Sequence, residues 1–289
     1  MSMVSRWVHF LHLHFIVFLW GFTGVLGDLI RVSSFELVWY RMLLAGLGMW
    51  MLFRWNRGVM PEKIILRNIA LTGVVVGLHW IFFYSAIKIS NVSVALASFS
   101  STSLFTSLME PLYFKRKIRR LEVYSGILVM VAMVVIFFYE LHHWQGILLG
   151  IGAAITASWF TVLNGLWAKK TDGGVISAIE MSSGFLALSI FMLLSGRGIP
   201  DFQVRLSDWM YLLLLSGVCT IYTFIASIQL MKHFKPFDLS LAVNMEPIYG
   251  MILALVFLGK KEIMSGGFYL GAALVMLTVF GTAWLKRKP

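Results

Sequence analysis

A single cysteine, Cys219, stands among 289 residues, so an intramolecular disulfide and a thiolate metal cluster are both excluded. Charge is scarce as well: 13% of residues are Asp, Glu, Lys or Arg, against about 25% in soluble domains. Also missing are the phosphate loop of nucleotide hydrolases, a Gly-x-Ser-x-Gly elbow, a His-Glu-x-x-His pair and any aspartate-rich repeat. Nucleotide hydrolysis and the common intramembrane enzyme chemistries therefore lack residues to carry them, and no cofactor is implied. Long polar segments are absent too, which leaves no room for a domain outside the apolar runs.

What is present is apolar, at 59% of the chain. A bilayer core of about 30 Å takes roughly 20 mostly apolar residues per helix, and runs of that length recur at 8–29, 35–53, 68–87, 91–114, 121–139, 144–168, 175–194, 209–231, 237–258 and 265–285. The expectation is an all-α membrane protein of ten transmembrane helices, because barrel strands would alternate over about ten residues instead. The stretch after Arg6 resembles a secretory signal but lacks a small-x-small cleavage site and leads directly into further spans, so it is read as the first helix.

The net charge of +11 comes from short basic clusters between apolar runs, not from an aromatic-interleaved groove, so lipid and not nucleic acid is the expected partner. Of the 24 Lys and Arg residues, 17 fall on the side of Arg54, Lys115–Arg120, Lys169 and the C-terminal tail. Six fall on the other side and Arg41 lies within a span. Cytoplasmic loops retain basic residues, so both termini are expected to be cytoplasmic.

Shifting the sequence by 145 residues sets Glu122-Val-Tyr-Ser-Gly126 against Gly267-Phe-Tyr-Leu-Gly271, and Phe114–Ile118 against Gly259–Ile263. Near offset 139, Trp20 meets Trp159. The halves are then 1–140 and 141–289. With five spans in each, an odd number, the second half must insert in the opposite sense, giving two inverted five-helix repeats.

The ten-span layout, Trp20-Gly21, Glu36-x-x-x-x-Arg41, Asn244-Met-Glu-Pro247 and Phe257-Leu-Gly-Lys260 resemble the EamA family of the drug/metabolite transporter superfamily across essentially the whole chain. The resemblance implies carriage of amino acids and related small metabolites, commonly export across a bacterial inner membrane; the working unit is left open between a monomer and a homodimer. The chain departs from the family's pattern in one place. The proline usual in the fourth helix, which would match Pro247, is replaced by Thr102, and Pro111 follows nine residues later. Equal bending of the two halves therefore does not follow.

Ionisable groups inside a bilayer cost several kcal/mol unless they face protein or water. Glu246 lies about ten residues from either end of its span, near the midplane where carriers place substrate and coupling ions, and Pro247 beside it frees a backbone carbonyl. Arg41 is either its counter-charge or the fork that holds a substrate carboxylate. Ser93, Ser100, Ser103, Ser107 and Glu110 share roughly 100° of one helix face. His79, beside Trp80 and Tyr84, offers a proton exchangeable near neutral pH. Trp20, Trp159 and Tyr222 are candidate aromatic walls, and Asn164 and Asn244 candidate neutral contacts.

The expected function is alternating access around these substrate-binding residues, lined by spans one, three, four, six, eight and nine. Glu246, Glu110 or His79 would couple transport to protons. An intramembrane enzyme or passive channel is the alternative. His9, His12 and His14 fall on differing faces, so no metal is expected there.

Overall fold

The computed structural model describes residues 3–55, 59–243 and 245–285, and every regular element among them is helical. In order these are α1 (Met3–Leu29), α2 (Ser34–Trp55), α3 (Lys63–Ile89), α4 (Val92–Phe99), α5 (Thr102–Tyr113) and α6 (Arg120–Tyr139). After a 3-10 turn at Leu141–His143 come α7 (Trp144–Trp167), α8 (Gly173–Leu194) and α9 (Leu206–Ser216). A π-helical turn at Gly217–Tyr222 leads into α10 (Thr223–Leu230), followed by α11 (Pro236–Val243) and α12 (Glu246–Leu258). A second 3-10 turn at Gly259–Glu262 precedes α13 (Gly266–Leu285). Eight helical segments among the described residues are long and apolar enough to cross a membrane. The ninth expected segment is divided between α11 and α12, and the last contributes a shorter apolar stretch, Gly266–Thr278.

Local chemistry accounts for where these helices start. Glu36 and Ser33 form a reciprocal capping box at α2: the Ser33 amide donates to Glu36 Oε2 at 2.8 Å, and the Glu36 amide donates to Ser33 Oγ at 3.3 Å. Asn91 Oδ1 accepts from the Val94 amide at 2.8 Å to open α4, and Asp172 Oδ1 accepts from the Gly174 amide to open α8.

Two expected continuous spans are broken at positions the 145-residue shift relates. α11 stops at Val243 and α12 restarts at Glu246, one residue before Pro247. The other break, between Phe99 and Thr102, contains no proline. Its cause is a run of hydroxyl residues that bond back to the preceding turn: Ser100 Oγ to Leu96 O, Ser101 Oγ to Ser98 O and Thr102 Oγ1 to Phe99 O. Such back-bonding competes with the helix ladder and bends it. The Thr102 carbonyl at the start of α5 also accepts a bond from Ser158 Oγ of α7 at 2.8 Å. The two expected spans thus break at positions related by the shift, by different chemistry.

Large apolar side chains cover the outside, and inside a mainly apolar core a minority of polar and ionisable side chains is buried. Phe138, Leu194 and Val256 are among many large exposed apolar side chains, whereas Arg41, His79, Glu110, Glu180 and Glu246 are all buried. That pattern suits a lipid surround. α1 crosses α12 backbone to backbone: a Cβ on Gly21 would stand 2.9 Å from the Gly250 amide nitrogen and 3.1 Å from the Glu246 carbonyl. Only small residues permit such an approach between membrane helices. Around this crossing, α7 packs on α4 and α5, α3 packs between α7 and α8, α2 faces α8, and α6 pairs with α13.

Carboxylates tie these pieces together at their ends. Glu110, near the end of α5, accepts the Phe237 amide at the start of α11 at 2.6 Å, and also pairs with Arg116 at 2.9 Å. Arg116 in turn pairs with Glu122 at 2.8 Å. Burial works against the Arg116 charge, but Glu122 and Glu110 more than offset it and hold the guanidinium above its ordinary value. Glu262, just beyond α12, accepts from the Ser93 amide at 2.9 Å and from Ser93 Oγ at 2.8 Å at the start of α4. Each broken helix therefore begins on a carboxylate supplied from the far end of the other, which suits the positive end of a helix dipole.

Candidate functional site

The interruptions open onto a cavity of about 70 Å³ in the middle of the bundle, where ~10–15 Å³ is enough to hold one water. Thr102, the first residue of α5, and Glu246, the first residue of α12, both line it. Two half-helix amino ends thus meet at one hollow. Its walls are aromatic, from Trp20, Trp80, Phe83, Phe99, Phe160 and Phe224, with Thr23, Thr161 and Ser227 as small polar points.

Arg41 enters from α2 and is held by neutral groups. Its Nε donates to Thr220 Oγ1 at 2.8 Å, its Nη1 to the Tyr84 hydroxyl at 2.6 Å, and its Nη2 reaches the Cys219 carbonyl at 3.5 Å. The guanidinium carbon sits 3.8 Å over the centre of the Trp80 ring. The π-turn makes this arrangement available. Thr220 Oγ1 bonds to the Leu215 carbonyl five residues back, and the widened turn brings the Cys219 carbonyl and Thr220 Oγ1 to Arg41. π-bulges of this kind gather at functional sites.

Glu246 is buried, yet its carboxylate makes no hydrogen bond or ion pair with any described residue. No described carboxylate lies within ion-pair distance of Arg41 either. The direct Arg41–Glu246 pairing considered from sequence is therefore not what the geometry holds, although both groups face the same hollow. His79 donates from Nδ1 to the Ala153 carbonyl of α7 at 2.8 Å, which directs its other ring nitrogen away from that bond, among Phe83, Phe99 and Phe160. Asn164 lines the cavity and reaches back to Glu180 of α8, donating from Nδ2 to Oε2 at 3.4 Å. Asn164 Oδ1 and Glu180 Oε1 have no hydrogen-bond partner.

Of the substrate-binding residues expected from sequence, Trp20, Arg41, His79, Trp80, Asn164 and Glu246 come together here, and Tyr84 stands directly behind Arg41. Trp20 is pinned by donation from Nε1 to Thr223 Oγ1 at 3.0 Å. Its repeat partner Trp159 is elsewhere, exposed and donating to the Tyr113 hydroxyl. Tyr222 is also outward, hydrogen-bonded to His12. Ser100 borders a separate small apolar hollow beside Pro247, and Ser103 is buried but not on the cavity wall. Glu110 is bound to Arg116 and Phe237, outside the cavity. Asn244 lies outside the described residues.

Sequence reasoning found Arg41 although it left the second span out of the wall, and it missed the hydroxyls of Thr23, Thr102, Thr161 and Thr220 and the phenylalanines of α3, α4, α7 and α10. Hydroxyl residues in apolar runs were the available signal for the first group. The phenylalanines carried none, since packing aromatics look the same.

The model of the EamA-like transporter family matches the chain twice, at residues 10–138 and again at 144–284. A protein of Archaeoglobus fulgidus described as an uncharacterized transporter is 23% identical over 239 residues, spanning 80% of this chain and 82% of its own length. A protein crystal structure resembles the fold with a TM-score of 0.72 at 18% identity, covering 98% of this chain and 100% of that one.

Proposed function

Because this chain belongs to the EamA-like transporter family, we propose that it is a secondary carrier of small zwitterionic or cationic metabolites, amino acids and amines foremost. It works by alternating access, with Glu246 as the proton-coupling carboxylate. The observation that carries this reading is a pair of opposite charges, Arg41 and Glu246, on one cavity wall without an ion pair between them. Arg41 is held in place by neutral oxygens, and Glu246, the opposite charge on the same cavity wall, makes no direct ion pair with it. A solute carboxylate answers Arg41 and its ammonium answers Glu246, while the aromatic walls take the apolar remainder. In a low-dielectric setting each contact is stronger than in water.

Ten crossings, arranged as halves 1–140 and 141–289 inserted in opposite senses, fit this function. The eight long spans are completed by α11–α12 and α13. The twofold match of one family model supports duplication, as does the packing, in which α1 lies against α12 as α7 lies against α4 and α5. Broken helices whose amino ends meet at a central site recur in repeat-built carriers. With both termini on the Lys- and Arg-rich face, that face is cytoplasmic, and export across a bacterial inner membrane is the direction we assign.

The end carboxylates supply the gates. Glu110 with Phe237 ties the halves on the basic face, and Glu262 with Ser93 ties them on the other. Rocking the halves releases one tie while the other holds. Glu110 is thus a gate residue in this reading, and Glu246, with His79 as a neighbour on the cavity wall, handles the proton.

The test is transport by purified protein in liposomes across a panel of amino acids and amines. Uptake should saturate, and unlabelled solute on the far side should accelerate it. Flux that rises linearly with concentration and shows no exchange would mark a channel and overturn the proposal.

A further inference from the structure

The turn that joins the two matched halves carries chemistry the cavity does not use. Between the end of α6 at Tyr139 and the start of α7 at Trp144 lie Glu140, His142 and His143. In a 3-10 turn residues three apart eclipse, so Glu140 and His143 share an edge with His142 beside them. One ligand atom from each, a carboxylate oxygen and two imidazole nitrogens, lies within 4.8 Å of both others. Glu140 Oε2 is 3.6 Å from His142 Nε2, and the two rings stand 4.0 Å apart between centroids.

Two further features separate this turn from an ordinary polar loop. Glu140 is only 2% exposed, and no Lys or Arg among the described residues pairs with it, so a buried anion faces solvent through two imidazoles. Its other oxygen is already fixed, accepting from the Ser265 amide at 3.2 Å and Ser265 Oγ at 2.7 Å at the start of α13. Metal-ligating carboxylates are oriented by this kind of outer hydrogen bond. The His142 side chain, 68% exposed, is free to turn inward.

We infer that Glu140, His142 and His143 form a binding site for a borderline divalent cation such as Zn²⁺, at the junction of the two halves. Zinc bonds of about 2.0–2.2 Å set tetrahedral neighbours roughly 3.4 Å apart, so side-chain rotation closes the present spacing without moving the helices. Water completes the coordination. Two imidazoles select zinc, nickel or copper over magnesium and calcium, which require oxygen ligands. The bound ion links α6 to α7 and, through Ser265, to α13.

The experiment uses full-length protein without a histidine tag, stripped with chelator in detergent and titrated with zinc chloride by calorimetry and thermal melting. One equivalent should bind, at least about tenfold tighter than magnesium, and raise the melting temperature. His142→Ala with His143→Ala should weaken zinc by about tenfold or more and leave the metal-free melt unchanged. His9→Ala with His233→Ala, which removes a stacked imidazole pair 4.4 Å apart, should bind as wild type. Absence of saturable zinc binding, unchanged binding in the His142/His143 variant, or loss in the His9/His233 variant would each overturn the assignment.

Discussion

Glu246→Gln in liposomes should carry solute without responding to an imposed pH gradient, and at a rate at least about tenfold below wild type where the gradient drives uphill movement. Each factor of ten corresponds to about 1.4 kcal/mol of lost driving interaction. The expectation follows from placement. Glu246 is the one carboxylate on the cavity wall among the described residues, it opens a half-helix, and it makes no direct ion pair with a described residue. Glutamine keeps the shape of the protonated acid but can neither take up nor release a proton. Downhill exchange of a neutral or anionic analogue should therefore survive. A variant that still accumulates solute under the gradient would remove Glu246 from the coupling step.

Arg41→Lys should raise the half-saturating concentration of an amino acid by about ten- to a hundredfold while the protein stays folded, matching the ~1.5–3 kcal/mol of a hydrogen bond to a charged group. Lysine retains the charge but not the planar fork. It cannot meet Thr220 and Tyr84 together, nor lie flat on Trp80. Simple amines, which have no carboxylate to present, should be affected far less. The melting temperature should fall modestly, because lysine keeps a charge buried at the same place while giving up the paired bonds to Thr220 and Tyr84 and the stack on Trp80. Equal effects on amines and amino acids would mean that Arg41 only braces the π-turn.

The helices were legible because length and apolarity are one-dimensional properties: 121–139, 144–168 and 175–194 agree with α6, α7 and α8 to within a few residues. The breaks were less so. Pro247 announced the interruption before α12, whereas Ser100 read as part of a polar stripe with Ser93, Ser103, Ser107 and Glu110, and nothing in the pattern says that Ser100, Ser101 and Thr102 will bond to their own helix in place of a neighbour. The site divided along the same line. Charges and histidine in apolar runs can be found by their cost, and Arg41, His79 and Glu246 indeed meet at the cavity. Glu110 has the same cost and a different place, because Arg116 and the Phe237 amide satisfy it outside the cavity. Trp159 was chosen through its repeat partner, but a repeat preserves backbone course more faithfully than side-chain environment, and this tryptophan faces outward.

The most direct measurement is two-sided access to the cavity. Thr161→Cys, placed on its wall in a Cys219→Ala background that leaves no other thiol, can be reacted with a membrane-impermeant reagent in right-side-out and inside-out vesicles. Labelling is expected from either face, slowed from both by a transported solute. A thiol reached from neither face, or labelled at the same rate whether or not saturating solute is present, would contradict a central site that opens to each side in turn.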